Sequence, residues 1–241
     1  MRLLSRFLRQ TVIHPVHVTD PRILDRFLKN ADFPWLISFP RTGSHWLRMI
    51  MELYFEKPSL RRIFFYPDAK DFTCYHWHDV ELDTKAVKSV IYLYRDPVDT
   101  IYSQLHYHKE DARDAERVRH WSTVYARHLS KWLFEESFTT RKTVVRYEGL
   151  REDPYREFAK VCSHFDQRLD SERLKHALSR VSKEDLKRKT ADDRQVVNLS
   201  QAYEVERGAF RSDYGPVVLE TLHRQDLRLT GLWAAEEQSN A

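Results

Sequence analysis

The sequence has few of the residues that break or cross-link a chain: its 241 residues include five glycines, nine prolines and two cysteines. So few glycines and prolines argue against long linkers and low-complexity segments, and no internal repeat is visible. Two cysteines, Cys74 and Cys162, cannot build a disulfide framework, and Cys162 belongs to an apolar set with helical spacing. We therefore expect a reducing compartment, the cytoplasm.

Long apolar runs are also missing. No stretch approaches the length of a membrane-spanning helix, and Arg2, Arg6 and Arg9 interrupt the apolar residues of the first twelve positions. Neither a secretion signal nor a transmembrane anchor is predicted. The same twelve residues have the spacing of a basic amphipathic helix, which would pack on the domain or, alternatively, lie on a membrane surface.

Charge of one sign is not strongly in excess. Lysine and arginine number 40 against 36 acidic residues, which gives a net charge of +4 and a pI near 9.0. This mild excess suits an anionic ligand but does not indicate nucleic acid. The length of 241 residues and the 41% hydrophobic content predict a single domain over 1–241. Within it we expect an N-terminal helical segment at 1–30 and a frayed tail at 234–241.

Short runs rich in aromatic and β-branched residues alternate with segments of helical period. The alternation predicts a three-layer α/β/α fold with a central parallel sheet, in which a ligand binds at the carboxyl ends of the strands. A weaker run at 62–66 either joins this sheet or packs beside it. The predicted strands are 35–39, 89–94 and 143–147, and the predicted helices are 44–55, 97–108, 115–134, 154–165 and 170–180.

The stretch SFPRTGSHW, residues 38–46, joins the first strand to the first of these helices. Its backbone N–H groups from Thr42 to His45 begin a helix and have no intrahelical acceptors, so they suit an anion. Gly43 permits a close backbone approach, and Arg41 adds a fixed charge. The P-loop spelling G-x-x-x-x-G-K-[ST] is absent, and a plain connection with a surface arginine is the alternative.

The stretch VIYLYRDPVDTIYSQ, residues 90–104, repeats this arrangement one strand later. Arg95 ends the strand, and Ser103 follows eight residues later on the helix face opposite Val98 and Ile101. One arginine and one hydroxyl predict a second anion clamp. The alternative is an exposed serine and an arginine that pairs with a nearby aspartate.

Both stretches resemble motifs of the sulfotransferase family. SFPRTGSHW is similar to the loop that binds the 5′-phosphosulfate, and VIYLYRDPVDTIYSQ to the 3′-phosphate motif, strand-Arg-Asp/Asn-Pro with a serine eight residues on. VVRYEGLREDPYREF (144–158) is similar to a third family segment, and VERGAF (205–210) faintly matches a fourth. The resemblance runs from about residue 34 to 165. It implies the P-loop NTPase-like sulfotransferase fold.

The implied donor is 3′-phosphoadenosine 5′-phosphosulfate (PAPS). The resemblance assigns residues 41–45 to the 5′-phosphosulfate and Arg95 with Ser103 to the 3′-phosphate. Trp46 would stack on adenine, and Tyr147 would complete the pocket. The implied donor-binding residues are Arg41, Thr42, Gly43, Ser44, His45, Trp46, Arg95, Ser103, Tyr147, Arg207 and Gly208.

The same resemblance implies the catalytic groups. Arg41 replaces the lysine that contacts the bridging oxygen between phosphate and sulfuryl, where a fixed cation stabilises developing charge. The stretch TCYHWHDV (73–80) supplies a histidine base, with His78 the better match and His76 its rival. If this segment is extended, Cys74, His76 and His78 share one face. Their spacing also suits zinc, but no further ligand pair accompanies them, and we expect no metal.

These motifs predict an enzyme that moves the sulfuryl group of PAPS to an acceptor hydroxyl, on a small molecule or a glycan. We expect residues 104–137 to cap the acceptor site. Two other functions stay open from the sequence: a nucleotide-dependent kinase on the same architecture, which would need magnesium and ATP, and a nucleotide- or glycan-binding protein without turnover.

Overall fold

The computed structural model describes residues 16–137, 139–182 and 201–233. The predicted amphipathic helix of the first twelve residues and the predicted tail at 234–241 lie outside the described residues. The strands are β1 (Val16–His17), β2 (Trp35–Ser38), β3 (Arg62–Ile63), β4 (Tyr75–Trp77), β5 (Ser89–Tyr94) and β6 (Arg141–Arg146). The α-helices are α1 (Pro21–Leu28), α2 (Ser44–Phe55), α3 (Pro97–His108), α4 (Ala115–Leu129), α5 (Tyr147–Glu152), α6 (Pro154–His164), α7 (Ser171–Arg180) and α8 (Gln201–Gln225).

A four-stranded parallel sheet forms the centre, in the order β4-β2-β5-β6. Successive residues of its strands point to opposite faces, as pleating requires. Leu36 belongs to the core on one face, whereas its neighbour Ile37 belongs to the core on the other. Helices α2, α6 and α7 cover the first face, and α3, α4 and α8 cover the second. The predicted α/β/α layering and parallel sheet are confirmed.

The fourth strand of this sheet is β4, which comes from the histidine-bearing stretch. The run at 62–66 does not join the parallel sheet, since only Arg62 and Ile63 are extended and they pair antiparallel with β1. It therefore packs beside the sheet, the second of the two outcomes considered.

Predicted and observed bounds differ by one or two residues at several element ends, and two predicted elements also change type at their ends. The strand predicted at 143–147 ends at Arg146, and Tyr147 begins α5, because the helix can start directly after the strand without a side-chain cap. The helix predicted over 115–134 is α-helical to Leu129 and continues as one π-helical stretch, Ser130–Phe134. Among the described residues, no helix combines the length and apolar character that crossing a bilayer requires.

Candidate active site

A cavity of about 1770 Å³ opens where the parallel strands end. The loops after β2, β4 and β5 and the helix α5 that follows β6 contribute to its wall, as expected for an open parallel sheet. Of the predicted donor-binding residues, Thr42 and Gly208 do not line it. The predicted residues that do are Arg41, Gly43, Ser44, His45, Trp46, His76, His78, Arg95, Ser103, Tyr147 and Arg207.

The loop between β2 and α2 is shaped by a close contact with α5. Gly43 has φ of 92°, in the left-handed region, and a Cβ at this position would lie 2.5 Å from the ring of Tyr147. Only glycine tolerates both the backbone conformation and the contact. The buried Thr42 donates its hydroxyl to the carbonyl of Phe39 at 2.7 Å, so its side chain fixes the loop and does not face the cavity.

Arg41 and Ser103, predicted for opposite ends of the donor, lie in contact in this structure. Arg41 Nε donates to Ser103 Oγ at 3.2 Å, and the guanidinium lies 5.1 Å from the ring centre of Tyr107. Ser103 is only 5% exposed, so the alternative of an exposed serine is wrong. The first and second motifs therefore meet in one site, as their order along the sheet predicts.

Arg95 is held on three sides. It donates to Asp99 Oδ2 at 3.1 Å and to the carbonyl of Arg41 at 3.3 Å, and it lies 4.6 Å over the ring of Tyr147. The alternative considered from the sequence, a pairing of Arg95 with a nearby aspartate, is therefore observed, and it is compatible with a role of Arg95 in binding an anion. Arg95 Nε is buried and has no acceptor among the described residues, so one donor of this side chain remains available.

Helix α8 brings two arginines to Asp99, of which Arg207 lines the cavity. Arg207 pairs with Asp99 at 3.6 Å, and Arg211, which sequence reasoning missed, pairs with Asp96 at 2.5 Å and with Asp99 at 3.0 Å. Burial alone would raise the pKa of Asp99, but Arg95 and these two arginines hold it below its usual value. Gly208 lies exposed on the same helix, where an added Cβ would have no neighbour within 4 Å.

The two histidines of β4 share a face, as an extended segment requires, and both approach Ser38. His76 Nε2 lies 3.1 Å from Ser38 Oγ, and its Nδ1 lies 3.4 Å from Arg48 Nη1. Because a guanidinium only donates, His76 accepts at Nδ1 and carries its proton on Nε2. Both ring nitrogens are thereby engaged, and burial holds the pKa of His76 well below its ordinary value.

His78 is arranged differently. Its Nδ1 lies 2.8 Å from the backbone carbonyl of Ser38, which can only accept. The proton therefore sits on Nδ1, and the lone pair sits on Nε2. Burial lowers the pKa of His78, partly opposed by that carbonyl, so the ring is neutral near pH 7. Among the described residues Nε2 has no hydrogen-bond partner, and a neutral imidazole with such a nitrogen at a cavity wall is suited to accept a proton.

A buried network fixes the backbone that carries His78. His128 Nε2 donates to the carbonyl of His78 at 2.7 Å, and its Nδ1 lies 2.9 Å from the hydroxyl of Tyr92. The next residue, Asp79, accepts from Lys131 Nζ at 2.8 Å and from the indole of Trp132. Sequence reasoning missed these partners, because they lie about 50 residues away along the chain.

Ser38 and Arg48 were missed as well, although the sequence contains a weak signal for each. Ser38 is a polar residue at the end of an otherwise apolar strand, and Arg48 is a charge within a helix whose neighbours are apolar. His106, one of the histidines at the end of α3, is exposed and does not line the cavity, whereas His108 lines it and stacks on Trp121. Of the predicted acceptor cap, Gln104 and Tyr107 also line the cavity.

Cys74, His76 and His78, which the sequence offered as an alternative zinc site, are not arranged as metal ligands in the structure. Within 16–137, 139–182 and 201–233, no three His, Cys, Asp or Glu side chains are grouped so that they could hold a metal ion.

Comparison with known proteins identifies the family. The model of the sulfotransferase domain matches residues 75–212, more than half of the chain. The chain belongs to the sulfotransferase family. The matched part of this sulfotransferase includes His78, Arg95 and Tyr147, whereas the loop at Arg41 precedes it. The family match confirms the predicted enzyme class, a sulfotransferase.

Two solved structures resemble this sulfotransferase. The mouse sulfotransferase SULT7A1, complexed with adenosine 3′,5′-bisphosphate (PAP), is 14% identical, with a TM-score of 0.48 over 89% of this chain and 100% of that chain. Retinol dehydratase, in complex with androsterone and the inactive cofactor PAP, is 11% identical, with a TM-score of 0.48 over 88% of this chain and 94% of that chain. No curated protein matches the sequence.

Proposed function

We propose that this sulfotransferase moves the sulfuryl group of PAPS to an acceptor hydroxyl of a small molecule or glycan, with His78 as the general base. The observation that carries the proposal is the bond from His78 Nδ1 to the carbonyl of Ser38, because it leaves Nε2 as the proton acceptor at the cavity wall. His76 lines the same wall but has both nitrogens engaged, so we assign it a supporting role.

The residues present fit the donor. Arg95 Nε is a buried donor without an acceptor among the described residues, and Gly43 lets the loop backbone pass close to the ring of Tyr147, where a Cβ would collide. We assign Arg95, Ser103 and Arg207 to the 3′-phosphate. The backbone from Thr42 to His45 and the hydroxyl of Ser44 would hold the 5′-phosphosulfate. Trp46, which meets Tyr147 edge-on at 5.8 Å, would lie against the adenine.

The protein groups then have distinct roles in the transfer. PAPS supplies the sulfuryl group and leaves as PAP. His78 Nε2 accepts the hydroxyl proton as the acceptor oxygen forms its bond to sulfur. Arg41 provides a fixed positive charge where negative charge develops on the departing phosphate, and as an arginine it stabilises that charge without giving up a proton. Ser38 and His128 hold the imidazole and its backbone in place.

The free cysteines, the cavity and the net charge bear on where the enzyme works and on what it binds. Cys74 and Cys162 are both free and buried, which supports a reducing compartment such as the cytoplasm. A cavity of about 1770 Å³ supports the proposal of a small molecule or the end of a glycan as acceptor. Nothing in the mild net charge of +4 favours nucleic acid as a partner.

The proposal is tested first by isothermal titration with PAP, without magnesium. Wild type should bind PAP, and Arg95→Ala should lose about 100-fold or more in affinity, since a buried charge-assisted contact is removed. Arg119→Ala, an exposed arginine on α4 outside the cavity, is the control and should bind like wild type. Folded wild type that binds ATP with magnesium but not PAP would instead favour the kinase alternative.

A further inference from the structure

The cavity has a second group of arginines, away from those assigned to the donor. Arg48 of α2 and Arg61 and Arg62, at the start of β3, line the part of the cavity next to strand β4. We refer to these three residues as the arginine wall. None of them is needed for the donor contacts assigned above, so their charge requires a separate explanation.

Arg48 is the strongest observation. Arg48 is only 2% exposed, yet every acceptor of its guanidinium among the described residues is uncharged. These acceptors are the hydroxyl of Ser59 at 2.7 Å, the carbonyl of Arg62 at 2.7 Å and the ring of His76 at 3.4 Å. A buried guanidinium is normally matched by a carboxylate, because leaving the charge unmatched is costly. Burial lowers the pKa of Arg48 to about 10, so it still carries its charge at neutral pH.

The acid closest along the sequence, Glu52, makes no ion pair with Arg48, although its charge acts on Arg48 from a distance and raises the pKa of that arginine. Glu52, one helical turn after Arg48, accepts the backbone N–H groups of residues 64, 65 and 66 with its carboxylate. Cys74 is not an anion either, because burial raises the pKa of its thiol to about 11. The positive charge of Arg48 is therefore held beside the cavity by neutral dipoles.

Arg61 presents a second charge to the same space. It lies 5.6 Å from the ring centre of Tyr75 and 5.3 Å from that of Trp77, and these two rings are stacked at 6.2 Å. A guanidinium that rests on ring faces keeps its in-plane N–H groups available for an anion. Within the described part of the chain, Arg61 makes no ion pair. Arg62 contributes its backbone carbonyl to Arg48 and a contact of 3.0 Å to His45, so the charge available at the wall comes from Arg48 and Arg61.

The arginine wall adjoins the proposed base. Arg48 contacts His76, and the rings of His76 and His78 are 4.6 Å apart. An anionic group on the acceptor, bound at the wall, would therefore lie close to a hydroxyl presented to His78. Glu81 and Asp83 line the cavity too, but they belong to the loop after β4 and not to the wall.

We infer that the arginine wall binds an anionic group of the acceptor, a carboxylate or a sulfate, so that the preferred acceptor carries a negative charge near the hydroxyl that is modified. The inference rests on the proposed function and adds the class of acceptor to it. Arginine suits such a group because its forked donors match the two oxygens of a carboxylate or sulfate.

The test uses protein saturated with PAP and two matched probes, p-nitrophenyl β-D-glucuronide and p-nitrophenyl β-D-glucoside. They differ only by a carboxylate in place of a hydroxymethyl group. By isothermal titration, wild type should bind the glucuronide about 10-fold or more tightly than the glucoside. Arg61→Gln should weaken glucuronide binding about 10-fold and leave the glucoside unchanged.

Two further variants keep the test decisive. Arg48→Lys retains the buried charge but loses the fork, and it should weaken the glucuronide as well, while Arg119→Gln removes an exposed charge elsewhere and should change neither probe. Equal affinity for the two probes, no binding of either, or an unchanged glucuronide affinity in Arg61→Gln would overturn the inference. Weaker PAP binding in Arg61→Gln would also overturn it, since the wall would then belong to the donor site. A wild type that fails to bind PAP at the start would contradict the proposed function itself.

Discussion

Arginines lie at both ends of the cavity, but their partners differ. At the end formed by α3, α5 and α8, which we term the donor end, Arg95, Arg207 and Arg211 all reach Asp99. At the arginine wall, Arg48 and Arg61 meet hydroxyl, carbonyl, imidazole and aromatic groups, and no carboxylate among the described residues.

The difference separates two ways to prepare a site for an anion. A shared carboxylate fixes several arginines in place before the ligand arrives, but it also reduces the net charge that the ligand meets. Neutral dipoles fix an arginine without reducing its charge. The donor end therefore holds its arginines in fixed positions at a reduced net charge. The arginine wall, which lies beside the two histidines of β4, keeps its positive charge.

The largest expected effect concerns the histidines, because it separates chemistry from binding. His78→Asn keeps an N–H near the carbonyl of Ser38 but removes Nε2, and we expect kcat to fall about 10²- to 10⁴-fold. PAP affinity, which depends on the donor end, should stay within about 2-fold of wild type. The measurement is initial sulfuryl transfer together with PAP titration.

His76→Asn is the matched comparison, and it should lower kcat by less than about 10-fold. A larger loss in His76→Asn than in His78→Asn would exchange the two roles. In wild type, activity should also be lost as pH falls through the lowered pKa of His78, because protonation removes the base.

The second effect concerns Asp99, the acid shared by three arginines. Asp99→Asn should lower the free energy of unfolding by about 2–3 kcal/mol, since it leaves partly buried arginines unmatched. PAP should restore more stability to this variant than to wild type, because the ligand supplies the missing negative charge. Thermal unfolding with and without PAP measures both quantities. An equal rise of Tm in the two proteins would mean that Asp99 does not set the charge of the donor end.

A third effect compares two glycines. Gly43→Ala should cost about 1–3 kcal/mol and weaken PAP binding, because the backbone has φ of 92° and the new Cβ would collide with Tyr147. Gly208→Ala, in the exposed part of α8, should stabilise the protein by about 0.5–1 kcal/mol and leave PAP affinity unchanged. A loss of PAP affinity in Gly208→Ala would show that this glycine closes over the donor after all.

The last effect is an acid sensitivity caused by two buried histidines, His128 and His164. Burial lowers the pKa of His128 to about 3 and that of His164 to about 4, from an ordinary value of 6.5. Between pH 6.5 and those values the unfolded chain binds more protons than the folded one, so stability is complete above about pH 6.5 and falls as the pH drops. Tm measured in steps from about pH 7.5 to pH 4.5 should decline by several degrees. In His164→Gln the decline should be shallower, whereas the exposed His223→Gln should follow wild type.

Much of the scaffold follows from short-range patterns. The strand at 89–94 and the helices at 44–55 and 97–108 have the bounds that their apolar periods predict. Local side-chain chemistry was sufficient there, because alternation and helical spacing record which face is buried. The boundary at Tyr147 could not be found this way, since the residue is as typical of a strand as of the helix that it begins.

By itself, the sequence determined the motifs and their order, and with them the family, the layered fold and the edge of the sheet where ligands bind. The tertiary structure alone decided which groups meet there. It distinguishes His78 from His76 through the carbonyl of Ser38 and brings Arg41 into contact with Ser103. It also places α8 over Asp99, and among the described residues it gives Arg48 only neutral hydrogen-bond acceptors. The physical reason is that a tautomer, an ion pair or an unmatched charge depends on atoms brought together from distant parts of the chain, and no local pattern records those contacts.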